Sequence, residues 1–149
     1  MEERTILLVE DNSDDIALIR RMFERHNIMN DLTAVTDGAE ALDYLFGKGS
    51  YKDRNIRFQP VLVLLDLHLP KMDGLEVLQQ IRSASETREL TVIMMNDSEE
   101  EIKTVKGYGL QVKAFLHKPF SFPEFVKAAR DAGLRWMLFS EPLFPEEGD

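Results

Sequence analysis

The chain has 149 residues, 18 of them basic and 27 acidic, for a formal net charge of -9. Such a field repels phosphates and argues against direct binding to nucleic acid or to an anionic membrane surface. The absence of cysteine excludes a disulfide framework and a thiolate metal site, and fits a cytoplasmic protein; the length suits one domain, which at this size buries roughly 70% of its unfolded surface.

The N-terminus carries charges and then a short apolar run, far below the roughly 20 residues needed to span a bilayer, so neither export signal nor membrane anchor is expected. Residues 5–9, TILLV, lack the alternation of a half-solvated strand and predict a central strand covered on both faces. It ends directly in Glu10 and Asp11. Asn12 and Ser13 are good helix N-caps, Asp14 and Asp15 suit the positive helix end, and Ile16, Ile19, Met22 and Phe23 recur at helical spacing. A weaker strand near the sheet edge is expected at 32–35. Asp37-Gly38 turns the chain into a second helix marked by Ala39, Leu42, Leu45 and Phe46. Residues 47–59 are polar and long for a connection, so they read as an insertion and a candidate partner surface. VLVLL at 61–65 predicts another central strand, ending in Asp66. Leu75, Leu78 and Ile81 follow the Asp73-Gly74 break as a third helix. Residues 91–95 form a further buried strand in which Met94 and Met95 fill core, and 99–106 a short solvated helix that opens on three acids. A fifth strand at 114–116 precedes a longer fifth helix carrying Phe122, Phe125, Val126, Ala129 and Trp136.

Strands that alternate with helices must pair in parallel, and right-handed crossovers place helices on both faces of the sheet. The fold class is therefore α/β. Ligands in such sheets sit at the carboxyl ends of strands, which here carry Glu10, Asp11, Asp66 and Lys118. Two unit charges about 4 Å apart repel by roughly 4 kcal/mol at an effective dielectric near 20, so folding would not gather these acids without a cation. An all-oxygen site with room for water and phosphate oxygens suits Mg²⁺ better than zinc. A carboxylate can attack phosphorus, and catalysis of that transfer is mostly positioning and charge neutralisation, to which Lys118 adds a second positive charge.

The segments ILLVEDN, LLDLHLPKMDG and FLHKPF, in this order and spacing, resemble the signatures of the response-regulator receiver family of two-component signalling, from residue 5 to about 138. The resemblance implies a flavodoxin-like, doubly wound three-layer sandwich with strand order 2-1-3-4-5, and a receiver domain over residues 1–140. It implies that Asp66 is the phospho-acceptor, that Asp11 and Asp66 bind Mg²⁺ directly, that Glu10 acts through water, and that the backbone carbonyl of His68 completes the metal site. Lys118 would pair with the phosphoryl group, across a cis Lys118-Pro119 bond. His68 sits where the family tunes loss of phosphate, though it and His117 otherwise read as plain loop and strand-end residues. Phe115 falls at the family's aromatic switch position, or is an ordinary core residue.

One departure concerns the switch itself. Where the family usually has Thr or Ser, this chain has Asn96, followed by Asp97 rather than a small residue. A carboxamide can still donate to a phosphoryl oxygen, Ser98 offers a hydroxyl if the loop rearranges, and Asp97 would repel phosphate. Beyond the receiver, Trp136, Met137, Leu138, Phe139, Leu143 and Phe144 either fold back on the fifth helix or form a homodimer contact with the tail at 141–149. This tail and the insertion are similar to stand-alone regulators partnered with phytochrome-type sensor histidine kinases. The expected function is phosphoryl transfer from such a kinase to Asp66, with output through an unidentified downstream protein. Two rivals remain: a degenerate receiver that binds partners without phosphate, and an aspartyl-phosphate phosphatase, whose second motif acid is here His68.

Overall fold

The computed structural model describes residues 5–134. Five strands, β1 (Ile6–Val9), β2 (Leu32–Val35), β3 (Leu62–Asp66), β4 (Val92–Asn96) and β5 (Ala114–His117), form one parallel sheet in the order β2-β1-β3-β4-β5. The helices α1 (Ser13–Arg25), α2 (Gly38–Phe46), α3 (Gly74–Ser83), α4 (Glu99–Gly107) and α5 (Phe122–Asp131) alternate with them. This is the expected doubly wound architecture, with the order reversing between β1 and β3.

Continuous apolar runs become strands here because helices cover both faces. Ile6, Leu8, Leu62, Leu64, Ile93 and Met95 point to one side, against Ile19 and Phe23 of α1 and Phe125 and Ala129 of α5. Their neighbours Leu7, Val9, Val63, Leu65, Val92 and Met94 meet Leu45 of α2, Leu78 and Ile81 of α3 and Val105 of α4. All of these are at most 4% exposed, so each face excludes water and polar side chains are left to the strand ends.

Two boundaries differ from the sequence reading in a way that matters. β3 and β4 each run one residue further, through Asp66 and Asn96, because parallel pairing continues as Asp66↔Met95 and Asn96↔His117. Apolar composition ends before the ladder does. The fifth helix ends at Asp131, since Gly133 takes φ 85, a left-handed conformation that ends a helix. Trp136 and the rest of the apolar tail, with the proposed boundary at 140, lie outside the described residues.

The segment 47–59 is largely exposed but anchored to α2. It contains a short 3₁₀ turn, Gly49–Tyr51, and is tied inward by Arg54, which donates to the carbonyls of Tyr44 and Phe58 and to Gln59 Oε1 at 2.7 to 3.0 Å. Gln59 Nε2 in turn donates to the Leu45 carbonyl at 2.9 Å. These bonds satisfy backbone oxygens at the C-terminal end of α2 that the helix cannot satisfy itself.

Candidate functional site

The site begins where β1 and β3 run out of apolar residues. Glu10 and Asp66 stay buried, at 0% and 2% exposure, while Asp11 turns outward. Oxygens of Glu10, Asp11 and Asp66 lie within 4.8 Å of one another. The first turn of α1 closes one side: Asn12 Oδ1 accepts from the backbone N–H of Asp14 and Asp15 at 2.9 and 3.1 Å, and the Asn12 N–H donates to Glu10 Oε2 at 3.1 Å. On the other side α3 approaches so closely that a Cβ on Gly74 would stand 2.3 Å from the Asp66 carbonyl oxygen. Only glycine fits there, and its N–H donates to the Leu67 carbonyl at 2.8 Å.

β5 brings in the cation. Its chain leaves the sheet through a cis Lys118-Pro119 bond, and the Lys118 N–H donates to the Asn96 carbonyl at 2.9 Å. Lys118 Nζ then reaches Glu10 Oε1 at 2.8 Å, Asp66 Oδ2 at 3.0 Å and Asp15 Oδ2 at 3.2 Å. Burial pushes the Glu10 carboxyl up to about 7, against the lowering effect of its Lys118 hydrogen bond. Burial alone would depress the Lys118 ammonium, yet its bonds to Glu10 and Asp66 outweigh that and raise it. One lysine thus stands among more negative charge than it can balance. The cleft, about 570 Å³, is lined by Glu10, Asp11, Asp15, Asp66, His68 and Lys118, among others. An oxygen-rich, under-neutralised cleft of this kind fits a hard divalent cation.

Asn96 and Phe115 are not part of this cleft. The Asn96 carboxamide is 1% exposed, donates to the Ser98 carbonyl at 2.9 Å and leaves its own oxygen without a partner. Phe115 lies beside Met94 across the sheet, on the α4 side, with Lys106 Nζ 5.9 Å from its ring centre. His68 divides its roles. Its N–H donates to Asp66 Oδ1 at 3.1 Å, while its ring is hydrogen-bonded to Glu101 of α4 and lies 3.7 Å from Asp97 Oδ2. The Glu101 hydrogen bond raises the imidazole pKa despite partial burial. Glu101 Oε1 also accepts the Asp97 N–H at 2.7 Å.

Two residues that contact the proposed machinery escaped the sequence reading: Asp15, taken only as a dipole acid, and Glu101, one of three acids opening α4. Both stand in first helical turns, where acids are favoured for a local reason that masks any other.

Comparison with known proteins bears on the fold that carries this site. The family described as "Response regulator receiver domain" matches residues 6–130. The solved structure of the bacteriophytochrome response regulator AtBRR is 45% identical, with a TM-score of 0.86, covering 95% of this chain and 100% of that one. Response regulator Rcp1 of Synechocystis sp. (strain ATCC 27184 / PCC 6803 / Kazusa) is 31% identical over 134 residues, 90% of this chain and 89% of its own. A structure of its Mn(2+)-bound form superposes with a TM-score of 0.69 at 30% identity, covering 88% of this chain and 91% of that one. The phosphorylated cyanobacterial phytochrome response regulator RcpA is 33% identical with a TM-score of 0.69, over 89% of this chain and 91% of that one.

Proposed function

This chain belongs to the response regulator receiver domain family, and from that premise we propose that it accepts a phosphoryl group from a sensor histidine kinase onto Asp66 and signals by protein–protein contact. The observation that carries the reading is Lys118 Nζ, 3.0 Å from Asp66 Oδ2, beside the converging carboxylates of Glu10 and Asp11. Asp66 supplies the attacking oxygen. Lys118 faces the incoming phosphoryl oxygens, and Gly74 lets the backbone close behind the acceptor. Asp11 and Asp66 would hold Mg²⁺ directly, with Glu10 through water and the His68 carbonyl completing the set; when bound, the ion neutralises charge on the phosphoryl oxygens. That Rcp1 takes Mn²⁺ and RcpA takes phosphate in related folds supports both parts.

The kinase partner is phytochrome-type, by likeness to AtBRR and RcpA. We place the protein in the cytoplasm, where such kinases present their phosphohistidine; among the described residues no helix is long and apolar enough to cross a membrane. Homodimerisation through the apolar tail belongs to the same reading. Output passes to another protein by way of α4. Because Asn96 faces Ser98 and not the cleft, coupling runs from Asp66 through the His68 N–H, the His68 ring and Glu101 to the first turn of α4.

Acetyl phosphate with Mg²⁺ tests this. Intact mass should show one added phosphoryl group, absent without the ion and absent in Asp66→Asn. A wild-type chain that takes no label would favour the phosphate-independent binding module, a reading that the inward-turned Asn96 carboxamide supports. Sustained release of free phosphate at enzyme-like rates would instead favour the phosphatase.

A further inference from the structure

Three carboxylates meet the Lys118 ammonium, and only Glu10 and Asp66 come from strand ends. The third, Asp15, stands in the first turn of α1. An ammonium has three protons and no lone pair, so in this state each proton already has an acceptor. Phosphorylation makes Asp66 an acyl phosphate, so the negative charge moves from its carboxylate to the phosphoryl oxygens and the first of these inherits the Asp66 contact. A second contact from Lys118 must displace one of the two carboxylates that keep their charge, Glu10 or Asp15. The Glu10 and Asp66 side chains are 0% and 3% exposed, whereas Asp15 keeps 34%. Releasing Glu10 would leave an uncompensated charge away from water, the costlier event. Asp15 released from the lysine returns to solvent, and the positive end of α1 still favours its charge.

We propose that Asp15 is a positioning residue: it holds Lys118 in the unphosphorylated site and is the partner that the lysine exchanges for an anionic phosphoryl group on Asp66. The proposal rests on the phospho-acceptor reading of Asp66. Asp15 then works against the phosphorylated state, by competing for the lysine and by repelling the anion, while its charge attracts a divalent cation to the unphosphorylated cleft. Two ligands should therefore respond to its loss with opposite sign, which a disturbed fold would not produce.

The test titrates the full chain by calorimetry, with beryllofluoride as a noncovalent phosphoryl mimic at saturating Mg²⁺, and with Mg²⁺ alone. Asp15→Asn should tighten beryllofluoride about three- to tenfold and weaken Mg²⁺ about two- to threefold, as expected for one charge at this range. Asp15→Ser should give the same pair of shifts, and Asp15→Glu should restore both toward wild type. Asp14→Asn removes the neighbouring acid, which does not contact Lys118, and should move beryllofluoride by no more than about twofold. Equal tightening in Asp14→Asn would show a general field effect and overturn the exchange. Unchanged beryllofluoride affinity in Asp15→Asn and Asp15→Ser, or joint weakening of both ligands in both variants, would overturn it as well. A wild-type chain that binds no beryllofluoride at all would remove the phospho-acceptor reading and this one with it.

Discussion

The carboxylate end of the sheet and the start of α4 are both dense in charge, yet they are built in opposite ways. At the first, Glu10 and Asp66 are buried, Lys118 is 17% exposed, and each contact is held by a strand end or a capped helix turn. At the second, the His68 and Asp97 side chains are 58% and 56% exposed, and only Glu101 is mostly covered. Charges in the first region interact under low local dielectric and are hard to rearrange; charges in the second are screened and cheap to exchange. A receiver needs that asymmetry, with rigid chemistry feeding a segment whose contacts can be remade.

Removing the lysine should break the comparison most visibly. Lys118→Ala leaves buried carboxylates without their cation and should cost about 3 kcal/mol in urea unfolding with the metal chelated. With Mg²⁺ present the loss should be smaller, because the ion shares the neutralisation. An equal loss under both conditions would mean that lysine and metal do not act on the same acids. Gly74→Ala tests the packing side of the same region. A Cβ 2.3 Å from the Asp66 carbonyl oxygen cannot be relieved by a flexible side chain, so backbone must move, at about 2 kcal/mol by thermal or urea melts. Weaker Mg²⁺ binding should accompany it, since the strand carrying Asp66 is what shifts.

The two regions also differ in how far the sequence revealed them. The parallel sheet, its five helices and the meeting of Glu10, Asp11, Asp66 and Lys118 follow from apolar runs that stop at charged residues. β3 and β4 run on through Asp66 and Asn96 because backbone pairing ignores the polarity at which an apolar pattern stops. The end of α5 is hidden for a similar reason: Val126 and Ala129 keep the period, but Gly133 closes the helix after Asp131. Around α4 the pattern gives the helix but not its partners. A Ser, three acids and a histidine thirty-odd positions earlier carry no periodic signal that would pair His68 with Glu101. In segment 47–59 composition shows a polar connection but not its anchor, because nothing in the pattern singles out Arg54 and Gln59 as the side chains that bond the carbonyls of Tyr44, Leu45 and Phe58.

Glu101→Gln probes the exposed region. Stability should change by no more than about 0.5 kcal/mol, as for other screened pairs. Amide exchange at residues 97–101 should nevertheless quicken, and the difference that beryllofluoride makes there should shrink while its affinity stays near wild type. If that difference persists undiminished, the route through His68 and Glu101 is not how α4 learns the state of Asp66.

The effect most remote from the phospho-acceptor lies on the far flank of the loop after β3, where Lys71, at φ 68, pairs with Asp37 at 3.2 Å. Asp37 also caps α2, accepting the Glu40 N–H at 2.7 Å, and that bond, ahead of Lys71, holds its carboxyl below the ordinary 3.8. A depressed folded pKa means that the unfolded chain takes up its proton first as pH falls. The contribution of Asp37 is therefore whole above pH 3.8 and is lost as pH drops below that value through the folded pKa. Asp37→Ala should cost about 1 kcal/mol at neutral pH, and the gap from wild type should close in urea melts taken at progressively lower pH in that acid range. Salt should trim only the Lys71 share, leaving the cap intact. A gap that vanished in high salt at neutral pH would show that the exposed ion pair, and not the helix cap, fixes this side of the loop.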